Sequence, residues 1–194
     1  RNDPSGRFGI GRALDALLLR LRGARSMRSR FVHSPQGSVA AARAADAQAS
    51  VDPLTAGAAP FRVLSIPCGI ARDLVQAAQR IQAELPAVYV RSTFFGVDLD
   101  PVPLELSRAL VVEDDEHFFF SCGDALDSKA FPSELDVIVS TGLGEFLDDD
   151  LLVRFYTNCH DRLRQGGVFI TSSMKADRIA DYLMRQLAEL HAHY

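Results

Sequence analysis

From Phe61 onward, short apolar runs alternate with stretches of helical spacing, and each run closes on small or acidic turn residues. This alternation limits the fold more than any other feature of the chain. Residues 61–66, 94–97, 117–121, 135–139 and 168–171 read as five strands. The first ends at Pro67-Cys68-Gly69, the second at Asp98 and the third at Cys122-Gly123-Asp124. Between the first two, Leu74, Ala77, Ala78, Ile81 and Leu85 recur at helical spacing, with Asp73 as the expected cap and Pro86 as the stop. Pro101 and Pro103 suit the first turn of a helix continuing over 104–111. Residues 148–164 predict a helix with Leu151, Leu152, Phe155, Cys159 and Leu163 inward, ended by Gly166-Gly167. A last helix is expected over about 177–190. Strand and helix in strict alternation predict an α/β fold: a doubly wound, mostly parallel sheet with helices on both faces. Ligands of such sheets bind beyond the carboxyl ends of the strands. That rule points to residues 65–73, 98–100, 122–126 and 140–148.

The residues ahead of Phe61 read differently. Ile10, Leu14, Leu17, Leu18 and Leu21 form a helical apolar stripe. Residues 35–60, rich in Ala, Ser, Gly and Pro, read as a linker holding at most a short helix over 40–49. The expected division is therefore an N-terminal helical extension and linker over 1–60 and a core over 61–194. Residues 1–30 carry eight Arg against Asp3 and Asp15, a net +6, which leaves the remainder at −10. A basic arm on an acidic body suits a nucleic-acid contact, but a solvated amphipathic helix explains it more simply. Hydrophobic residues make up 47% of 194 residues, enough for one domain with its own core. No run approaches the ~18 apolar residues of a membrane span, and no signal peptide is evident. Cys68, Cys122 and Cys159 are widely separated, which argues against both a disulfide framework and a zinc site. No metal is expected, and a reducing cytoplasm is the simplest compartment.

Four segments at the strand ends carry the functional reading. VLSIPCGIARD at 63–73 resembles the first motif of class I, Rossmann-like S-adenosylmethionine-dependent methyltransferases. It is degenerate: Ser65 replaces an acidic residue, Pro67 and Ala71 replace glycines, and Gly69 alone remains of the glycine set. In that resemblance Pro67, Cys68 and Gly69 let the backbone approach the methionine part of the cofactor. FFGVDLDP at 94–101 resembles the end of the family's second strand. Asp98 would accept from the ribose hydroxyls, and Leu99 would lie against adenine. As an alternative, Asp98 or Asp100 is a helix cap; Asp100 suits the cap better. SCGDALD at 121–127 resembles the adenine-reading turn, with Asp124 accepting from the adenine amino group and the Ala125 N–H donating to the ring. An Asx turn is the alternative for Asp124. DVIVSTGLGEFLDDD at 136–150 resembles the fourth strand and its loop, where Ser140, Thr141 and Gly142 would line the methyl-transfer site. The resemblance covers residues 61–175 and not the basic arm. The family's sheet usually ends in an antiparallel hairpin, so the core is expected to be incomplete at Tyr194.

The resemblance implies in-line methyl transfer from S-adenosylmethionine to a small-molecule acceptor that the sequence does not identify. A general base is needed only if the acceptor must lose a proton. Glu145, Tyr156 and His160 are the candidates, with His160 read first as an ordinary structural histidine and Glu145 equally as an exposed loop carboxylate. No Asn-Pro-Pro-Tyr or Asp-Pro-Pro-Tyr follows the fourth strand, as base amino-methylating enzymes require. Competing readings are a silent cofactor-binding module, an RNA methyltransferase using the basic arm, and a nicotinamide-dependent reductase. The last lacks GxGxxG. The N-terminal helix is expected to cover the mouth of the pocket.

Overall fold

The computed structural model describes residues 22–51, 59–112 and 115–173. The stripe at 10–21 and the helix expected over 177–190 lie outside the described residues. The elements in chain order are α1 (Arg22–Val51), β1 (Phe61–Ser65), α2 (Arg72–Glu84), α3 (Pro86–Tyr89), β2 (Ser92–Asp98) and α4 (Pro101–Leu110). There follow β3 (Phe118–Cys122), β4 (Leu135–Ser140), α5 (Asp149–Arg162) and β5 (Leu163–Thr171). The five strands form one sheet in the order β3-β2-β1-β4-β5, and every pairing is parallel. The order reverses at β1, so the crevice between the ends of β1 and β4 is the topological switch point.

Central strands of such a sheet are buried on both faces, and their residues divide accordingly. Phe61, Val63, Phe94, Val137 and Val139 face one core with Leu74, Ala78 and Ile81 of α2, Leu104 of α4, and Val39 and Ala42 of α1. Leu64, Ile66, Val97 and Ile138 face the other core with Phe155 and Cys159 of α5. Phe94 and Phe118 stack across β2 and β3 with centroids 5.1 Å apart. At the opposite end of the sheet from the switch point, buried Asp136 accepts the Arg62 N–H at 2.8 Å and pairs with Arg164.

Three expectations change. Residues 35–51 are helical and not linker: α1 runs through Pro35. An interior proline costs a helix about 3 kcal/mol. Ser34, Pro35, Ser38, Val39 and Ala42, which recur at helical period, are buried and offset that cost. Gly37 brings α1 so close to β5 that a Cβ there would sit 2.6 Å from Ile170 Cδ1. Second, Asp73 is not the cap of α2. Ala71 takes that position without a side-chain bond, and Asp73 lies inside the first turn, where the helix dipole favours a carboxylate. Third, Gly166-Gly167 do not end α5. That helix stops at Arg162, and the glycines lie within β5 where its register against β4 shifts. Gly166 is left-handed with φ +79°, and a Cβ on Gly167 would meet the Leu135 carbonyl oxygen at 2.9 Å.

Gly96 of β2 sits beneath the β1 turn, where a Cβ would meet Phe120 Cδ1 at 2.5 Å and Cys68 Sγ at 3.2 Å. Gly96→Ala is therefore expected to destabilise the chain by about 1–3 kcal/mol, the usual cost of overpacking. Urea unfolding should show a lower midpoint with an unchanged slope.

Candidate active site

The turn after β1 is fixed from both sides. The Ile66 N–H donates to the Val139 carbonyl of β4, and the Cys68 N–H to the Val97 carbonyl of β2, both at 2.9 Å. Gly69 has φ +50°, with open space where a Cβ would be. A glycine is thus needed here for its backbone and not for room. Its N–H donates to Asp98 Oδ2 at 2.7 Å. The other carboxylate oxygen of Asp98 accepts the Asp100 N–H at 3.0 Å, and the Asp98 carbonyl accepts the Gly123 N–H at 2.9 Å. One residue therefore joins the turns after β1, β2 and β3. Asp100 caps α4 through the Val102 N–H, as expected.

A cavity of about 300 Å³ opens at these strand ends, lined by Arg30, Phe31, Pro67, Cys68, Gly69, Ile70, Asp73, Asp98 and Thr141. Five of the residues named from sequence as cofactor contacts meet there: Pro67, Cys68, Gly69, Asp98 and Thr141. Leu99, Asp124, Ala125, Ser140 and Gly142 do not line it. Leu99 lies at the end of β2, 70% exposed. Asp124 forms the Asx turn, accepting the Leu126 N–H at 2.8 Å. Ser140 is buried at the end of β4. Gly142 is left-handed (φ +96°) and donates its N–H to Ser172 Oγ at 3.1 Å.

The base candidates separate. Glu145 is not the exposed loop carboxylate of one reading: it is buried on a 3₁₀ turn, paired with Arg30, and accepts from Ser172 Oγ at 3.2 Å. Tyr156 of α5 packs edge-on against Phe169 of β5, outside the cavity lining. The His160 side chain is 89% exposed beside Asp161, neither in the core nor on the cavity.

Four residues of the lining, Arg30, Phe31, Ile70 and Asp73, were not assigned to the site from sequence, nor was Ser107, which supports it. Arg30 and Phe31 enter from α1, so the described part of the N-terminal region does reach the cavity. Asp73, read only as a cap, lines the cavity and accepts from Ser34 Oγ of α1 at 3.1 Å. Ser107 of α4, fully buried, accepts the Ala71 N–H at 3.0 Å and holds the end of the turn. No local motif marks Ser107, which sits one helical turn beyond Pro103 and donates to its carbonyl at 2.7 Å.

Burial pushes the Cys68 thiol up to about 12, and the Asp98 and Asp73 carboxylates push in the same direction. The thiol therefore stays protonated, in keeping with a small loop residue and not a nucleophile. Burial also raises the Asp73 carboxyl above its ordinary value, against the lowering effect of its bonds from the Leu74 N–H and Ser34. A carboxyl raised on folding stabilises the fold below its unfolded pKa of about 3.9, and that contribution is lost as pH rises through the folded value. Asp73→Asn is accordingly expected to be more stable than the parent at pH 7. Thermal unfolding should show the gain shrinking towards zero below about pH 4.

Comparison with known proteins agrees with this architecture. Residues 63–167 match the family model described as "Methyltransferase domain". A "possible exported protein" from Bordetella parapertussis superposes with a TM-score of 0.65 at 20% identity, over 92% of this chain and 52% of that one. The YcgJ protein of Bacillus subtilis gives 0.50 at 20% identity, over 68% and 53%. A protein solved in work on conversion of a disulfide bond into a thioacetal group during echinomycin biosynthesis gives 0.52 at 24%, over 68% and 49%. The chain thus spans about half the length of these structures. No curated protein matches it. With the matched segment running from β1 to the start of β5 and holding the whole strand-end constellation, the chain belongs to the methyltransferase-domain family.

Proposed function

We propose that the chain is an S-adenosylmethionine-dependent methyltransferase whose cofactor lies across the ends of β1, β2 and β4. The observation that carries this reading is the position of Asp98. It ends β2, lines the cavity at the switch point and holds the Gly69 N–H of the first turn. A carboxylate has about four acceptor sites. The two backbone bonds to Asp98 leave capacity for both hydroxyls of a ribose.

When bound, the cofactor supplies a methyl group activated on a sulfonium. The chain supplies binding and orientation. Leu99, exposed at the end of β2, suits the face of adenine. Asp124 and the Ala125 N–H suit the adenine edge; the Asx turn occupies one Asp124 oxygen, Oδ1. Pro67, Cys68 and Gly69 let the backbone come close to the methionine end. Arg30 and Asp73, both on the cavity, complement a carboxylate and an ammonium respectively. Thr141 lines the cavity just beyond β4; with its neighbours Ser140 and Gly142 it would form the methyl-transfer side.

The acceptor is a small molecule on this reading, entering from the side of α1 and the loop after β4. Residues 1–60 form the extension that shapes its pocket, and residues 61–194 form the cofactor-binding core. Among the base candidates Glu145 comes nearest to the cavity, through its pair with Arg30 of the lining, but it is buried and does not line the cavity itself. His160 and Tyr156 lie outside the cavity lining.

Calorimetric titration with S-adenosylmethionine and S-adenosylhomocysteine tests the reading. Micromolar binding is expected, weakened at least about tenfold, or ~1.4 kcal/mol, by Asp98→Asn. Because Asp98 also joins three turns, circular dichroism should confirm that the variant is folded. Absence of binding to the parent chain would reject the proposal.

A further inference from the structure

The pair formed by Arg30 and Glu145 spans the distance between α1 and the loop after β4. Its two ends sit in different surroundings. The Glu145 side chain is 2% exposed, whereas that of Arg30 is 17% exposed and lines the cavity. Arg30 Nη2 donates to Glu145 Oε1, which also accepts from Ser172 Oγ. The same Ser172 hydroxyl accepts the Gly142 N–H. Arg30 Nη1 lies so close to Gly142 that a Cβ there would be 2.8 Å away. One guanidinium is therefore held between the loop beyond β4 and the cavity, and the loop is braced in turn by the residue after β5. Arg30 Nε and Glu145 Oε2 are buried and find no partner among the described residues, so the pair rests on one hydrogen bond of the two it could make. A guanidinium has five N–H donors in a rigid fork and can serve two carboxylates at once.

We infer that Glu145 is a positioning residue. It fixes Arg30, and with it α1, over the cofactor cavity, so that docking of α1 and binding of the cofactor strengthen each other. The inference rests on the cofactor reading above. Its physical content is a linkage: a cation pinned by a buried carboxylate costs less to order when a second carboxylate arrives, and the second carboxylate in turn holds the helix down. A buried acid without its partner would be costly, which explains why Arg30 does not simply follow solvent. Phe31 and Val32, next to Arg30, are both more than half exposed, and Ser34 is tied to Asp73.

The test uses the full chain and two variants. Glu145→Gln keeps the shape of the side chain and the Ser172 contact but removes the charge that holds Arg30. Arg30→Glu with Glu145→Lys reverses the pair, keeping an ion pair between α1 and the loop but taking the cation from the cavity. Amide hydrogen exchange across residues 28–49 reads the docking of α1, and calorimetry with S-adenosylhomocysteine reads the site. Glu145→Gln should speed exchange in that helix several-fold without ligand and weaken binding by about tenfold, within the usual range of coupling. The reversed pair should recover slow exchange but not affinity. S-adenosylhomocysteine should slow helix exchange in the parent and in Asp98→Asn at saturation, but not in Glu145→Gln.

Affinity of Glu145→Gln within twofold of the parent would overturn the inference, as would full recovery of affinity in the reversed pair. Should the parent fail to bind at all, the cofactor reading falls and the linkage with it. Exchange in the unliganded Glu145→Gln variant decides separately whether Glu145 anchors the helix.

Discussion

The site is organised around Asp98. Its backbone and side chain accept three N–H groups from three different turns, at Gly69, Asp100 and Gly123. Each turn follows its own strand, and the strands carry residues of two cores, one on each face of the sheet. Without this convergence no single residue would tie the three turns together, although the first would keep its bonds to Val97, Val139 and Ser107. A charged acceptor bonding to backbone N–H groups gives shorter and stronger bonds than a neutral one, and a carboxylate has the lone pairs to do so while keeping others for a ligand. The cavity thus inherits its shape from a residue that also lines it.

This convergence explains how a degenerate first motif can still form a working turn. Three glycines in such a motif serve two needs, positive φ and close approach of the backbone. In this chain only Gly69 has a left-handed conformation within the turn. At the positions of the other two, Pro67 and Ala71 need no such freedom, since bonds at Cys68, Gly69 and Ala71 already direct the backbone. The requirement that persists is where the N–H groups point, and Val97, Asp98 and Ser107 enforce it from outside the motif.

The same distinction separates what was legible in the sequence from what was not. The strands were legible because Phe61–Ser65, Ser92–Asp98 and Leu135–Ser140 are apolar runs buried on both faces, a pattern that few other arrangements produce. Gly69 and Asp98 were legible because they lie at strand ends. The helix α1 was not. Its buried face is Ser34, Pro35, Ser38, Val39 and Ala42, small residues that let the helix lie close against α2 and β5, and a proline among them reads locally as a break. Close packing of small side chains gives little hydrophobic signal although it excludes water as well as large ones do. Arg30 was hidden for a related reason: one arginine among eight in a basic arm has no local mark that its charge is half-buried against Glu145. Asp73 was legible as an acid at a helix start but not as a cavity wall, because that depends on Ser34, 39 residues earlier in the chain.

The charges of the cavity follow from these tertiary placements. Asp73 and Asp98 present two carboxylates, and Arg30 is the one cation among the lining residues, with much of its charge already answered by Glu145. The lining is therefore more anionic than the count of its own residues suggests. A partly enclosed, anionic wall favours a ligand with positive charge, because attraction is weakly screened where water is displaced. For the proposed cofactor the sulfonium and the ammonium both meet that condition, while its single carboxylate requires the one cation present. On the proposed function, methyl transfer would remove the sulfonium charge, and the same wall would then hold the product less strongly than the reactant. Two acids and one pre-paired base would thus match the proposed cofactor before reaction and favour release afterwards, through the same residues that fix the turn geometry.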